Sequence, residues 1–236
     1  MIRHLTSTDS TNREARVWAT EMGADRAPDG AVVVADHQTA GRGRFERTWI
    51  SSPGRNLLLT VILRRTLPRP ALLPLAAGVA VREAAASFLP GRTVGLKWPN
   101  DVWVAGEKLA GILVESPQEG LYLVGIGLNV NEDRFPDGLP TEPTSLLLAS
   151  GQHTDRAEVF DRLMRTLDTC LDHLENGTLL DAYRPHLIGH GQTVTLEDGR
   201  TGKIEGVDDD GGLILNMESG RIVVHSGDVS LRSPAT

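Results

Sequence analysis

Lys97-Trp98-Pro99-Asn100-Asp101-Val102-Trp103-Val104-Ala105-Gly106-Glu107-Lys108-Leu109-Ala110-Gly111-Ile112-Leu113-Val114-Glu115 reads as a hairpin carrying charge in apolar strands. Val102 to Val104 and Leu109 to Val114 are β-rich runs, and Ala105-Gly106-Glu107 is a Gly-containing connection of hairpin length. Pro99 keeps Trp98 extended and cannot donate to a ladder, so the chain enters a strand here and not a helix. Lys108 then opens the second strand, and Lys97 to Asp101 precede the first, so these polar groups converge at one end of a sheet. Lysines in such surroundings call for an anion, and Ala110-Gly111 leaves bare backbone for a ligand to approach.

A second constellation lies upstream. The buried strand Ala31 to Ala35 runs into Asp36-His37-Gln38-Thr39-Ala40-Gly41-Arg42-Gly43-Arg44-Phe45-Glu46-Arg47-Thr48-Trp49, a long loop with three arginines and a tryptophan. Alternating glycine and arginine suits a phosphate or carboxylate clamp: glycine admits the backbone, and guanidinium forks bond oxygens in pairs. No Gly-Lys-Ser/Thr follows, and the glycines are too close for a dinucleotide fingerprint. Nearer the start, Thr11-Asn12-Arg13-Glu14 has the letters of a capping box before an apolar helical pattern. The amides and positive dipole end of such a helix let Ser10, Thr11 and Asn12 cradle a polar group.

The remaining chain interleaves strands and helices. Asn56 to Leu63 reads as a strand, Leu72 to Leu89 as an alanine-rich helix, and Leu121 to Val130 as a strand whose Gly125 and Gly127 signal either close approach or a bulge. Val159, Leu163, Leu167, Cys170, Leu171 and Leu174 form the apolar stripe of a long helix, so Cys170 is expected as inert packing. After His190-Gly191 the pattern changes to short strands at 193–196, 202–207, 212–217 and 221–225, parted by glycine and acidic turns, which is a small SH3-like β-barrel. Asp208-Asp209-Asp210-Gly211 lacks the spacing of a calcium loop and reads as a hairpin tip, and Pro185 and Gly189 break any helix aligning His186 with His190, so no metal site is expected.

Several spaced motifs in one order resemble the biotin protein ligases, also called biotin-[acetyl-CoA-carboxylase] ligases. The matching residues are Ser10-Thr11-Asn12, Gln38 to Arg44 with Arg47 and Trp49, Lys97 to Asp101 with Lys108 to Glu115, and Gly125-Ile126-Gly127-Leu128-Asn129-Val130-Asn131, with Val229-Ser230-Leu231-Arg232 resembling the closing strand. The resemblance implies an α+β fold, with a mixed-sheet biotin/lipoate ligase-like catalytic domain at 1–189 and the SH3-like domain at 190–236. It implies ATP-dependent attachment of biotin, through biotinyl-5'-AMP, to a lysine of a biotin carboxyl carrier protein domain of a biotin-dependent carboxylase, with Mg²⁺ assisting.

The implied roles follow the matched positions. Lys108 would touch the biotin carboxylate and the α-phosphate together, Arg44 would close over the intermediate, and Asp101 would take or orient the attacking amine's proton. Biotin would meet Ser10, Thr11, Asn12, Gln38, Gly41, Arg42, Gly43, Arg44, Lys108, Gly111, Ile112 and Leu113. ATP would meet Arg42, Arg44, Trp49, Lys97, Asn100, Lys108 and Asn129. Glu46 departs from the pattern, since the family usually has glycine there; glutamate restricts the loop and brings a negative charge near the expected phosphates.

Composition narrows the alternatives. A formal charge of −7 argues against a broad nucleic-acid face, and the 236 residues suffice for one main core and a satellite domain. No basic-then-apolar leader and no membrane-length apolar run occur, and the single cysteine points to a cytoplasmic setting. A lipoate or octanoate protein ligase or transferase is the rival of the same fold, but Ser10-Thr11-Asn12 and Gln38 suit a urea better than an acyl tail. A non-catalytic biotin-sensing regulator is the rival of another class. The first motif comes too soon after Met1 for a helix-turn-helix, so a monofunctional ligase without DNA contact is expected, as monomer or homodimer. The small C-terminal domain is expected to serve closure and carrier docking more than chemistry.

Overall fold

The computed structural model describes residues 1–196, 198–225, 227 and 229–231. In chain order the elements are β1 (Ile2–Leu5), α1 (Thr11–Glu21), α2 (Gly23–Arg26), β2 (Ala31–Ala35), β3 (Gly41–Arg42), β4 (Thr48–Trp49), β5 (Leu57–Arg64) and α3 (Leu73–Ala86). There follow β6 (Val94–Lys97), β7 (Asp101–Val104), β8 (Glu107–Gln118), β9 (Leu121–Leu128), α4 (Leu146–Ser150), α5 (Arg156–Asn176) and α6 (Leu179–Tyr183). The smaller sheet comes last, from β10 (Thr193–Leu196), β11 (Thr201–Val207), β12 (Leu213–Met217), β13 (Gly220–Val224) and β14 (Val229–Leu231). Arg232, the end of the expected closing strand, lies outside the described residues.

The larger sheet has the order β1-β2-β5-β9-β8-β7-β6 and is mixed, since β1 and β2 run parallel while the other neighbours are antiparallel. Strand alternation divides its residues between two faces. Leu57, Leu59, Val61 and Leu63 face α3 and α5 in one apolar core, whereas Ile62, Leu123, Ala31 and Val33 pack with Ala15, Trp18 and Ala19 of α1 in another. Thr60 belongs to the α1 face, and so do Gly125 and Leu113, its lateral partners across β9 and β8. That face carries the candidate site.

The smaller sheet is antiparallel, in the order β13-β12-β11-β10-β14, which fits the strand pattern expected after His190. The apolar core runs through both sheets without a gap, as Val194, Ile204, Val207, Leu213 and Leu215 join the cluster that contains Leu72 and Leu75.

Two expectations are corrected. Thr11 does not act as the cap of a capping box, for Ser10 is the N-cap residue and makes no side-chain cap bond. The Thr11 amide is taken instead by the Gln38 side chain, whose Oε1 lies 2.7 Å away. The long arginine loop is also more ordered than its letters suggest: β3 and β4 pair as a miniature antiparallel ladder, Gly41 with Trp49 and Arg42 with Thr48. Gly41 fits that ladder because a Cβ there would meet the Trp49 carbonyl at 2.5 Å.

Candidate active site

Lys108 reaches the site through a defect in the sheet. Asp101 pairs with Gly111 and Val102 with Ala110, but Trp103 pairs with Lys108, so Leu109 is an extra residue on β8. A straight ladder would leave Lys108 on the α3 side. The bulge turns it onto the α1 face, a use of bulges common beside functional sites. There its Nζ lies 2.8 Å from Asp101 Oδ1 and 5.7 Å from the centre of the Trp49 ring. Segment 142–144 holds the backbone on the other side, with Lys108 N donating to Glu142 O at 2.7 Å and Thr144 N donating to Lys108 O at 2.8 Å.

The floor beside Lys108 is glycine by necessity. Gly111 and Gly127 are lateral partners, and a Cβ on either would meet the Trp49 indole, at 3.0 and 2.5 Å. One register step along, a Cβ on Gly125 would meet Asn12 Oδ1 at 2.2 Å. The ladder passes both β9 glycines without a shift, so of the two readings of their presence, close approach holds and the bulge does not. The approaching groups are the protein's own Asn12 and Trp49.

At the polar end, hydrogen bonds leave specific valences for a ligand. Thr11 donates from N and Oγ1 to Gln38 Oε1, at 2.7 and 3.0 Å, which fixes the carboxamide and leaves its Nε2 as a donor. Buried Thr60 lies 2.9 Å from Thr11 Oγ1 and donates to Asn12 Oδ1 at 2.6 Å. Asn12 Nδ2 in turn donates to Glu115 Oε2 at 2.9 Å and to Leu113 O at 3.3 Å. The Asn12 carboxamide is therefore engaged at both ends by the protein. Glu115 also faces Arg16 at 3.3 Å and Arg42 at 3.8 Å, so the Arg42 guanidinium lies toward this end of the cleft.

The opposite end is more apolar. Asn100 donates to Ile112 O at 2.8 Å and accepts from Arg44 Nη1 at 3.4 Å, which ties the second arginine of the loop to the turn before β7. Asn129 donates to Thr144 O at 2.9 Å, while its Oδ1 and the Trp49 Nε1 are buried with no hydrogen-bond partner among the described residues. Phe135, Leu139, Pro140, Thr141 and Pro143 complete this wall.

The cleft thus gathers Ser10, Thr11, Asn12, Gln38, Arg42, Gly43, Arg44, Trp49, Asn100, Asp101, Lys108, Gly111, Ile112, Leu113 and Asn129 from the expected set. Gly41 and Lys97 are not in the lining: Gly41 is spent in the β3–β4 ladder, and Lys97 stands on edge strand β6 with its Nζ 5.0 Å from the centre of the Trp103 ring. Sequence reasoning missed Thr60, the role of Glu115, and the wall at 135–143. Thr60 sits in an otherwise apolar strand where a lone threonine carries no signal, and 135–143 has no periodicity to read.

Metal ligation finds no suitable donor set in the cleft. Asp101 is paired with Lys108 and Glu115 with two arginines, and no group of three or more His, Cys, Asp or Glu side chains among the described residues is placed to hold a metal. Magnesium ion ordinarily keeps several waters and binds through substrate phosphates, so these side chains do not by themselves form a site for it.

A cleft on one sheet face, lined by a lysine and two arginines between a polar end and a more apolar end, has the charge and shape to receive an anionic ligand. The sequence matches the family model described as "Biotin/lipoate A/B protein ligase family" over residues 5–131 and that described as "Biotin protein ligase C terminal domain" over residues 189–232. It is 37% identical over 236 residues to the biotin-[acetyl-CoA-carboxylase] ligase of Mycobacterium tuberculosis, covering 95% of this chain and 86% of the relative. It is 35% identical over 227 residues to the bifunctional ligase/repressor BirA of Bacillus subtilis, covering 90% and 70%. The structure superposes on the biotin protein ligase of Aquifex aeolicus solved with biotin and ATP, with a TM-score of 0.86, 30% identity and 99% of both chains covered. The chain belongs to the biotin/lipoate A/B protein ligase family.

Proposed function

We propose that this chain is a biotin protein ligase, which uses ATP to make biotinyl-5'-AMP and passes the biotinyl group to a lysine of a biotin carboxyl carrier protein. The observation that carries this reading is the position of Lys108, turned by the bulge to the junction of the polar and apolar ends. A carboxylate needs a better leaving group before an amine can displace it at neutral pH, and ATP supplies one when the biotin carboxylate attacks the α-phosphate and pyrophosphate leaves. Both reactants are anions, so preplaced cationic donors are the main requirement.

In this reading the neutral urea of biotin lies at the polar end, where Gln38 Nε2 and Ser10 offer hydrogen bonds while Thr11, Asn12 and Thr60 keep them in place. The acyl chain follows Gly111 to Leu113 toward Lys108. Lys108 bridges the two reacting anions, and Arg42 and Arg44 close the loop over the product. The nucleotide lies at the apolar end, where Trp49 offers an aromatic face and Asn129 Oδ1 an acceptor. Once Lys108 turns to the anions, Asp101 becomes available to take the proton of the attacking carrier lysine. The closed arginine loop keeps water from a hydrolysable mixed anhydride.

The lipoyl and octanoyl alternative is weaker on two counts. Octanoyl transfer through cysteine lacks a nucleophile, because Cys170 is buried and its thiol is pushed up to about 12 by burial, with Glu83 adding to the effect. The family model for the C-terminal segment is also that of biotin ligases. A free, buried cysteine suits a cytoplasmic setting, and no helix among the described residues is long and apolar enough to cross a membrane. Biotin-dependent exchange of labelled pyrophosphate into ATP tests the assignment. Exchange with biotin and none with lipoate is expected; folded protein that exchanges with neither overturns it.

A further inference from the structure

Glu132 is 2% exposed, yet among the described residues it has no cation as hydrogen-bond partner. Its carboxylate accepts from Ser52 N at 2.9 Å, Ser52 Oγ at 2.7 Å and Asn56 Nδ2 at 2.8 Å, all neutral donors. The nearby Arg55 makes its ion pair with the next residue, Asp133, at 2.6 Å. The Arg55 charge also acts on this carboxylate from beyond hydrogen-bond distance, but its direct partners are neutral, and an apolar side chain of similar size would avoid the cost of burying it. The geometry offers a reason for its presence. Ser52 lies just beyond Trp49 and Ile50 at the exit of the arginine loop, and Glu132 lies just before the wall at 135–143, so one side chain ties together the roots of two cleft walls.

The tie is reinforced from both sides. Asn131 N donates to Arg55 O at 3.0 Å, Val130 N donates to Asn56 Oδ1 at 3.0 Å, and Ser145 Oγ donates to the Glu132 carbonyl at 2.7 Å. Among the described residues no hydrogen bond links Glu132 to Ser10, Thr11 or Gln38. We propose that Glu132 is a positioning residue that holds the Trp49 wall and the 135–143 wall at the spacing a nucleotide requires, leaving the biotin end unaffected. This rests on the reading of the cleft as a site for biotin and ATP.

The test compares two substitutions in the full chain by pyrophosphate exchange and by calorimetric biotin binding. Glu132→Gln keeps an acceptor for Ser52 N and Asn56 and turns its amide toward Ser52 Oγ, which can accept. Its KM for ATP is expected within about threefold of the unaltered chain. Glu132→Leu leaves three donors unanswered, and its KM for ATP is expected to rise about tenfold or more, with biotin affinity within about twofold and kcat falling less than KM rises. Ser52→Ala, which removes one bond and leaves Glu132 Oε1 without that donor, is measured beside it and is expected to raise KM for ATP about threefold. An unchanged KM for ATP in Glu132→Leu overturns the proposal, as does an unchanged one in Ser52→Ala if the leucine variant does not fold. Equal loss of biotin and ATP binding overturns it too, since that marks general collapse. Absence of biotin-dependent exchange in the unaltered chain is a separate failure, that of the cleft assignment itself.

Discussion

Lys108 and Asp101 are 2.8 Å apart, and each is the other's partner before any substrate arrives. Replacing Lys108 by alanine removes the one cation expected to touch both reacting anions. A preplaced donor of this kind is worth roughly 2–4 kcal/mol in the transition state, so biotinyl-AMP formation in a single turnover is expected to fall by about 30- to 900-fold. A rate within a few-fold of the unaltered chain would show that Lys108 is misassigned. Glu46 poses a different residue-scale question. Phe45 and Glu46 have φ of +52° and +58°, consecutive left-handed residues that each cost roughly 1–2 kcal/mol for a side chain with a Cβ. This gives a physical reason for glycine at position 46 in the family pattern. Glu46→Gly is therefore expected to unfold at the same or a higher urea concentration, whereas Glu46→Val should lose about 1 kcal/mol or more. A clear loss with glycine would mean that the side chain, and not the backbone, holds the loop.

Among the elements, β9 shows what the amino-acid pattern could and could not reveal. Its strand character and the oddity of Gly125 and Gly127 were legible, because two glycines in an apolar run have few explanations. Which side chains need the space was not legible, since Asn12 and Trp49 arrive from segments over 70 residues away in the chain. The same limit applies to the bulge at Leu109: the hairpin was readable from its letters, but a single extra residue in a ladder leaves no periodic trace in so short a strand. Lys97 illustrates a different limit. Its motif neighbours Asn100 and Asp101 line the cleft, but edge strand β6 puts Lys97 beyond it, beside Trp103. The two glycines now make a paired prediction. Gly125→Ala drives a methyl into Asn12 and should weaken biotin binding about tenfold or more, while Gly127→Ala drives one into Trp49 and should raise KM for ATP, each at an overpacking cost of about 1–3 kcal/mol. Titrating both variants with biotin and with ATP separates the two ends of the cleft; identical profiles would show that the floor acts as one unit.

At the scale of the whole molecule, the small sheet packs against the segment that leads into the site, which allows a supporting role beside the expected closing and docking one. Beside the shared core, the turn between β11 and β12 makes polar attachments. Gly211 O accepts from Trp98 Nε1 at 2.9 Å, Arg69 donates to Asp209 O at 3.0 Å, and Arg184 pairs with the Asp209 carboxylate at 2.6 Å. Gly211 has φ +85° and lies so close to α3 that a Cβ would meet Leu72 at 2.5 Å. Trp98 in turn begins the turn that delivers Asn100 and Asp101. Removing everything after Gly189 would leave the buried Trp98 donor without its acceptor, at about 1–3 kcal/mol, and would strip cover from Leu72 and Leu75. Such a chain is expected to melt at a lower temperature and to lose adenylation and carrier transfer together. Gly211→Ala in the full chain should show the same joint loss in milder form, because the added methyl lifts the turn from α3 without deleting anything. Separate assays of biotinyl-AMP synthesis and of transfer from supplied biotinyl-AMP decide the matter. Full-rate synthesis with only transfer impaired would return the small sheet to a docking role, and loss of both would place it in the support of Asn100, Asp101 and Lys108.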